Sequence, residues 1–194
     1  MEKIPLFPLH LVMFPGSRLP LRIFEPRYTD LVSECLQSES GFGICLINEG
    51  SEVGGDAQCH LTGCYVEIVD WSQLEDGLLG ITVEGKRRFQ ITSFSKRKNM
   101  LLEGEVTWLD DDDVSVGREY SLLQEILLRI FEHFKISYDA STNKLENASW
   151  LGYRLAEYLP VPNSEKQSLL ELAASPERLD RIQDLLQKSE AGVE

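Results

Sequence analysis

The chain opens on an apolar pattern that no helix can carry. Between Ile4 and Tyr28 stand Pro5, Pro8, Pro15, Pro20 and Pro26, and each proline fixes φ and lacks an amide donor. The apolar residues there follow a two-residue period instead. Leu19, Leu21 and Ile23 alternate with Arg18, Pro20 and Arg22, which predicts a strand with one buried face. Phe14-Pro15-Gly16 predicts a turn, proline presetting one φ and glycine accepting a positive one. At Glu25-Pro26-Arg27-Tyr28 the period changes. Proline fits the first turn of a helix, and Tyr28, Leu31, Val32, Cys35 and Leu36 follow at helical spacing.

Alternation then returns. Phe42 to Ile47 reads as a short buried strand, Asn48 to Ala57 as an exposed glycine-rich loop, and His60 to Val69 as a strand. After a turn at Leu74 to Gly77, Leu79, Ile81 and Val83 alternate with polar or small residues. Gly85 breaks that run, and Phe89, Ile91 and Ser93 resume it. Ser95 to Asn99 predicts a basic turn, followed by a last alternating run from Leu101 to Trp108. Short strands at such intervals predict an antiparallel β-barrel with one covering helix over residues 1–109.

Asp110 to Asp113 reads as a solvated linker, because four adjacent carboxylates repel one another. Beyond it the period is helical. Leu123, Ile126, Leu127, Ile130, Phe131 and Phe134 form one stripe, and Ala148, Leu151, Leu155 and Tyr158 a second. A third helix starts at Asn163 or Ser164, and a fourth at Ser175-Pro176-Glu177. Residues 114–194 are therefore expected to form a four-helix bundle, making the chain an α+β protein.

Charge narrows the function. The net charge is −13; residues 1–108 hold 10 basic and 15 acidic groups, giving −5, and residues 109–194 hold 9 and 17, giving −8. Such a balance disfavours nucleic acid as a partner, since that affinity comes largely from basic side chains displacing counterions. The amino terminus has one lysine and prolines break its apolar runs, so no signal peptide is expected; no apolar stretch approaches the roughly 20 residues of a membrane span, and the protein is read as cytoplasmic. Cys35, Cys45, Cys59 and Cys64 are too scattered for a secreted disulfide framework and are expected as reduced thiols.

No chemistry-bearing motif stands out. There is no phosphate-cradling G-x-x-x-x-G-K-[ST] loop and no G-x-S-x-G elbow. Cys59, His60 and Cys64 lack a fourth zinc ligand and read as strand residues. Neither catalysis, a metal nor a cofactor is expected. Lys86-Arg87-Arg88 and Lys96-Arg97-Lys98 fall on one proposed hairpin and motivate an RNA-binding alternative, although Phe89 and Phe94 are placed by alternation as core rather than stacking residues. Trp108 and Trp150 are expected to pack the two halves together; an exposed pair could grip an apolar peptide instead.

The segments IPLFPLHLVMFPG and LPLRIFEPRY, then GCYVEIVDWSQLEDGLLGITVEGKRRFQI, then EKQSLLELAASPERLDRIQDLL resemble, in matching order, the amino-terminal domain of Lon-type ATP-dependent proteases. They are closer still to the bacterial stand-alone proteins made of that domain. The resemblance implies a PUA-like barrel and a non-catalytic protein- or peptide-binding role. The partners it implies are unfolded or tagged polypeptides, or a protease or chaperone. Lon's ATPase and protease modules would begin where this chain ends, so their activities are not carried over. An apolar surface or a free strand edge is what such a role requires. The candidate residues are Phe14, Phe24, Glu25 and Arg27. The competing reading places both phenylalanines in the core, with Glu25 and Arg27 pairing to hold the helix start.

Overall fold

A computed structural model describes residues 2–52, 57–138 and 144–191. The chain divides into two units, Met1–Asp110 and Asp111–Glu194. Part of the expected loop at 48–57 lies outside the described residues.

The first unit holds strands β1 (Glu2–Leu9), β2 (Arg18–Ile23), β3 (Phe42–Glu49), β4 (Gln58–Gln73), β5 (Leu79–Lys96) and β6 (Leu102–Leu109), with helix α1 (Pro26–Ser38) between β2 and β3. The strand order is β2-β5-β4-β3-β1-β6, and β6 also pairs with β5. Five strands therefore pair around a closed circuit, while among the described residues β2 pairs with β5 alone. The sheet is mixed, not the antiparallel one that the alternation predicts. β1 and β3 run parallel, Leu6 facing Gly43 and Leu9 facing Leu46; the intervening β2 and α1 provide the crossover that parallel neighbours need. The prolines of β1 fit because each half of that strand has one neighbour. Pro5 lies in the half paired with β6 and Pro8 in the half paired with β3.

Among the described residues of this unit the apolar side chains gather in clusters. Phe7, Ile23, Tyr28, Leu31, Val32, Phe42, Val66 and Ile81 form one beneath α1. Ile4, Leu6, Cys45, Phe89, Ile91 and Val106 form another. Phe89 reaches its place because Gly63 leaves room: a Cβ there would lie 2.5 Å from the phenyl Cζ. The α1 stripe buries Tyr28, Leu31, Val32 and Cys35, while Leu36 and, on β5, Phe94 are exposed rather than buried.

The second unit holds α2 (Ser121–His133), α3 (Ala148–Tyr158), α4 (Asn163–Glu171) and α5 (Ser175–Ala191). Leu123, Leu127, Leu151, Leu155, Leu169 and Ile182 are buried between them. Arg178 on α5 is buried too; its guanidinium donates to the Leu169 and Leu172 carbonyls at 2.9 and 2.6 Å and lies 4.1 Å from the Tyr153 ring centre. It thereby satisfies carbonyls that the end of α4 leaves open.

The aspartate run is largely exposed, as a linker would be, but three of its carboxylates are also tied to the second unit. Asp111 accepts from the Tyr153 hydroxyl. Asp112 accepts from Ser149 Oγ and from the Ser175 amide, both at 2.8 Å. Asp113 accepts from Asn147 Nδ2 at 3.1 Å. Hydroxyls, amides and the positive end of α5 add protein partners to the solvent these carboxylates still meet, which offsets their mutual repulsion.

Candidate functional site

The site builds outward from the corner between β2 and α1. Ile23 is the last buried residue of β2, and the next side chain, Phe24, turns outward with 60% of its surface exposed. Glu25 stands in extended geometry before α1 (φ −87°, ψ 134°), its carbonyl accepting the Tyr28 and Thr29 amides at 3.0 and 3.1 Å. Pro26 occupies the first turn, where its missing amide costs nothing. Arg27 is buried beneath this corner. Its guanidinium pairs with the Glu25 carboxylate at 3.0 Å and donates to the carbonyls of Met100 (3.3 Å) and Glu52 (3.1 Å). Three separate segments are tied to one cation, which keeps the corner rigid.

Phe24 borders a cleft of about 120 Å³ whose apolar walls are Phe7, Leu9, Leu21 and Tyr28, with Arg22, Glu25 and Glu52 at its edge. Glu52 is itself fixed, accepting the His10 amide at 2.7 Å. The Tyr28 ring stacks on Phe7 at 3.8 Å. Burial pushes the Tyr28 hydroxyl up to about 12, against the lowering effect of Arg27, so the wall stays uncharged. A second hollow of about 250 Å³ lies along the other side of β2, between Pro20, Arg22, Asp70 and Trp71, over Gly80 and Thr82. Trp71 is also 60% exposed. Both volumes fall below the roughly 300 Å³ at which small-molecule pockets begin. They suit single side chains.

Of the residues expected at the site, Phe24 and Glu25 line the cleft, and Arg27 holds it from behind. Phe14 does not belong to it: it is 0% exposed. Its turn is stitched onto the break in β5, with Gly16 donating to the Gly85 carbonyl at 2.8 Å and Gly85 to that of Ser17 at 2.9 Å. A Cβ at position 85 would sit 2.2 Å from the Phe14 carbonyl oxygen, so the approach that buries Phe14 requires glycine there. Trp71 is not among the residues expected at the site, and no periodicity marks it, because it nears β2 only through the pairing of β4 with β5 and of β5 with β2.

The basic hairpin does not present a cationic face. Lys86 pairs with Glu84 at 2.6 Å, Arg87 with Asp110 at 2.6 Å, and Arg97 with Glu34 and Glu103 at 2.5 and 2.7 Å, while Arg88 is buried. Lys96 and Lys98 are exposed. Trp108 packs inside the first unit against Tyr65 and Phe89, and Trp150 inside the second against Phe131 and Tyr138. Among the described residues no three His, Cys, Asp or Glu side chains gather as metal ligands, and no helix is long and apolar enough to cross a membrane.

Residues 3–188 match the family described as the ATP-dependent protease La (LON) substrate-binding domain. The chain belongs to this family. A Lon N-terminal domain protein from Xanthomonas campestris is 36% identical and superposes with a TM-score of 0.80 over 95% of this chain and 98% of that one. The N-terminal domain of a Mycobacterium avium complex Lon protease, 20% identical, shares the fold with a TM-score of 0.69 over 94% and 97% of the two chains. The Lon protease of Parabacteroides distasonis is 25% identical over 100% of this chain but 24% of its own length. Lon protease 1 of Bacillus subtilis is 21% identical over 100% and 26%. The chain thus spans about a quarter of the curated relatives it matches, and its α+β fold of mixed sheet and helices is that of a Lon substrate-binding domain.

Proposed function

We propose that this Lon substrate-binding domain is a non-catalytic module that holds unfolded or tagged polypeptides, or a protease or chaperone partner, in the cytoplasm. In this reading residues 1–109 are a PUA-like barrel, residues 114–194 a four-helix bundle, and the Phe24 cleft the holding surface. One observation carries it: two large aromatics, Phe24 and Trp71, stand equally exposed beside side-chain-sized hollows flanking one strand. Phe24 is the anchor, with Glu25 and Arg22 as polar rim.

The test is binding of a reduced, carboxymethylated polypeptide to the whole chain, followed by fluorescence anisotropy. Phe24→Ser is expected to weaken binding at least about ten-fold, roughly 1.4 kcal/mol, with an unchanged Tm because the ring is exposed. Unchanged affinity counts against the reading, as does ATP turnover or peptide cleavage by the pure chain. Nuclease-sensitive retention would favour the RNA alternative, which the paired basic residues disfavour.

A further inference from the structure

Resting on that reading, we propose how the polypeptide is held: an extended segment with acidic residues four apart adds as a new strand to the open edge of β2. Among the described residues no strand pairs with β2 on the side away from β5. The phase of its main chain is fixed. Gly85 donates to the Ser17 carbonyl at 2.9 Å, so alternate residues Leu19, Leu21 and Ile23, opposite Val83, Ile81 and Leu79, direct their main-chain groups to β5. Those of Arg18, Pro20 and Arg22 face the open side. Pro20 agrees with this phase, since a strand tolerates proline where no ladder bond is required of it. The edge therefore offers three carbonyls, from residues 18, 20 and 22, and two amides, from Arg18 and Arg22.

The sequence of that edge excludes one occupant. Arg18-Leu19-Pro20-Leu21-Arg22 reads the same in both directions. A second copy laid antiparallel about Pro20 would set Arg18 against Arg22 twice, and like charges directly opposite destabilise a strand pair. Edge charges and prolines are devices against such self-pairing. The occupant is therefore a different chain, and its charge follows from the same residues. The Arg18 and Arg22 side chains are 69% and 61% exposed, bound to Glu84 and Asp76 in surface pairs of the weak kind that an incoming carboxylate can share or exchange. The net charge of −13 opposes an acidic chain at long range, but this repulsion is screened over about 8 Å at physiological salt. Main-chain bonds give strand addition its affinity and pockets give it specificity; the Phe24 cleft takes one apolar side chain of the added strand.

The probe is the peptide acetyl-TELTLET-amide, fluorescently labelled, with the whole chain as receptor. In strand addition alternate peptide amides face β2. N-methylation of one alternate set is expected to abolish binding, and methylation of the other set to leave it within about two-fold. Arg22→Pro, which removes an outward amide, is expected to bind at least ten-fold more weakly than Arg22→Ala, which removes the charge alone. Equal effects of the two methylation sets, or equal affinities of R22P and R22A, would overturn strand addition. If the peptide does not bind while a reduced, carboxymethylated polypeptide still does so in a Phe24-dependent way, strand addition fails and the polypeptide-binding reading stands. If neither binds, both fail.

Discussion

Phe14 and Phe24 lie in one proline-punctuated stretch, yet one is core and the other surface. Local alternation cannot separate them. The burial of Phe14 is decided by Gly85, far along the chain, and only the glycine break in β5 hinted that something must approach there. Glu25 and Arg27 were legible as a pair at a helix start. That Arg27 also reaches Met100 and Glu52 depends on tertiary contacts that no periodicity encodes. Arg27→Ala leaves two carbonyls and a carboxylate without their cation, and urea melts are expected to show a loss of about 2–4 kcal/mol. Arg27→Lys is expected to restore part of this, because an ammonium cannot spread across the same fork. Among the cysteines, the hydrogen bond from buried Cys45 holds the Cys59 thiol below its ordinary value, while that bond and burial push Cys45 up. Partly exposed Cys59 is therefore expected to be alkylated first at pH 8, as mass mapping after brief iodoacetamide treatment would read. Faster modification of Cys45 would contradict the arrangement.

Strands and helices were the most legible elements, because their buried faces repeat every two or every three to four residues. The parallel pairing of β1 with β3 was not, since pairing partners are set by closure of the whole sheet. At this scale α1 is fastened to the β5–β6 hairpin by Arg97, which grips Glu34 at 2.5 and 3.0 Å and Glu103 at 2.7 Å; Lys3 also meets Glu103, at 2.6 Å. The Arg97 hydrogen bonds hold the Glu34 carboxyl below its ordinary value. Burial pushes Glu103 up, but the hydrogen bonds from Lys3 and Arg97 outweigh it and leave this group low as well. Folded values below the unfolded one mean stability that is complete above about pH 4.5 and lost as pH falls through the folded values. Thermal melts are expected to show Tm declining below that pH, with a shallower decline in Glu103→Gln; parallel profiles would remove this clasp from the account.

For the whole molecule, the change from strand to helix periodicity near residue 110 was readable, but the role of the residues at the change was not. A run of like charges looks the same in sequence whether water or protein satisfies it. The strap Asp111–Asp113 has a practical consequence for dividing the chain. Cutting after Asp113 rather than before Asp111 would strip Tyr153, Ser149 and the Ser175 amide of their acceptors. A fragment beginning at residue 114 is therefore expected to melt lower than one beginning at residue 111, Asp112 alone accounting for about 1 kcal/mol as a lost helix cap. Three residues that look disposable between modules are, for the helices after them, the latch that a truncation would leave behind.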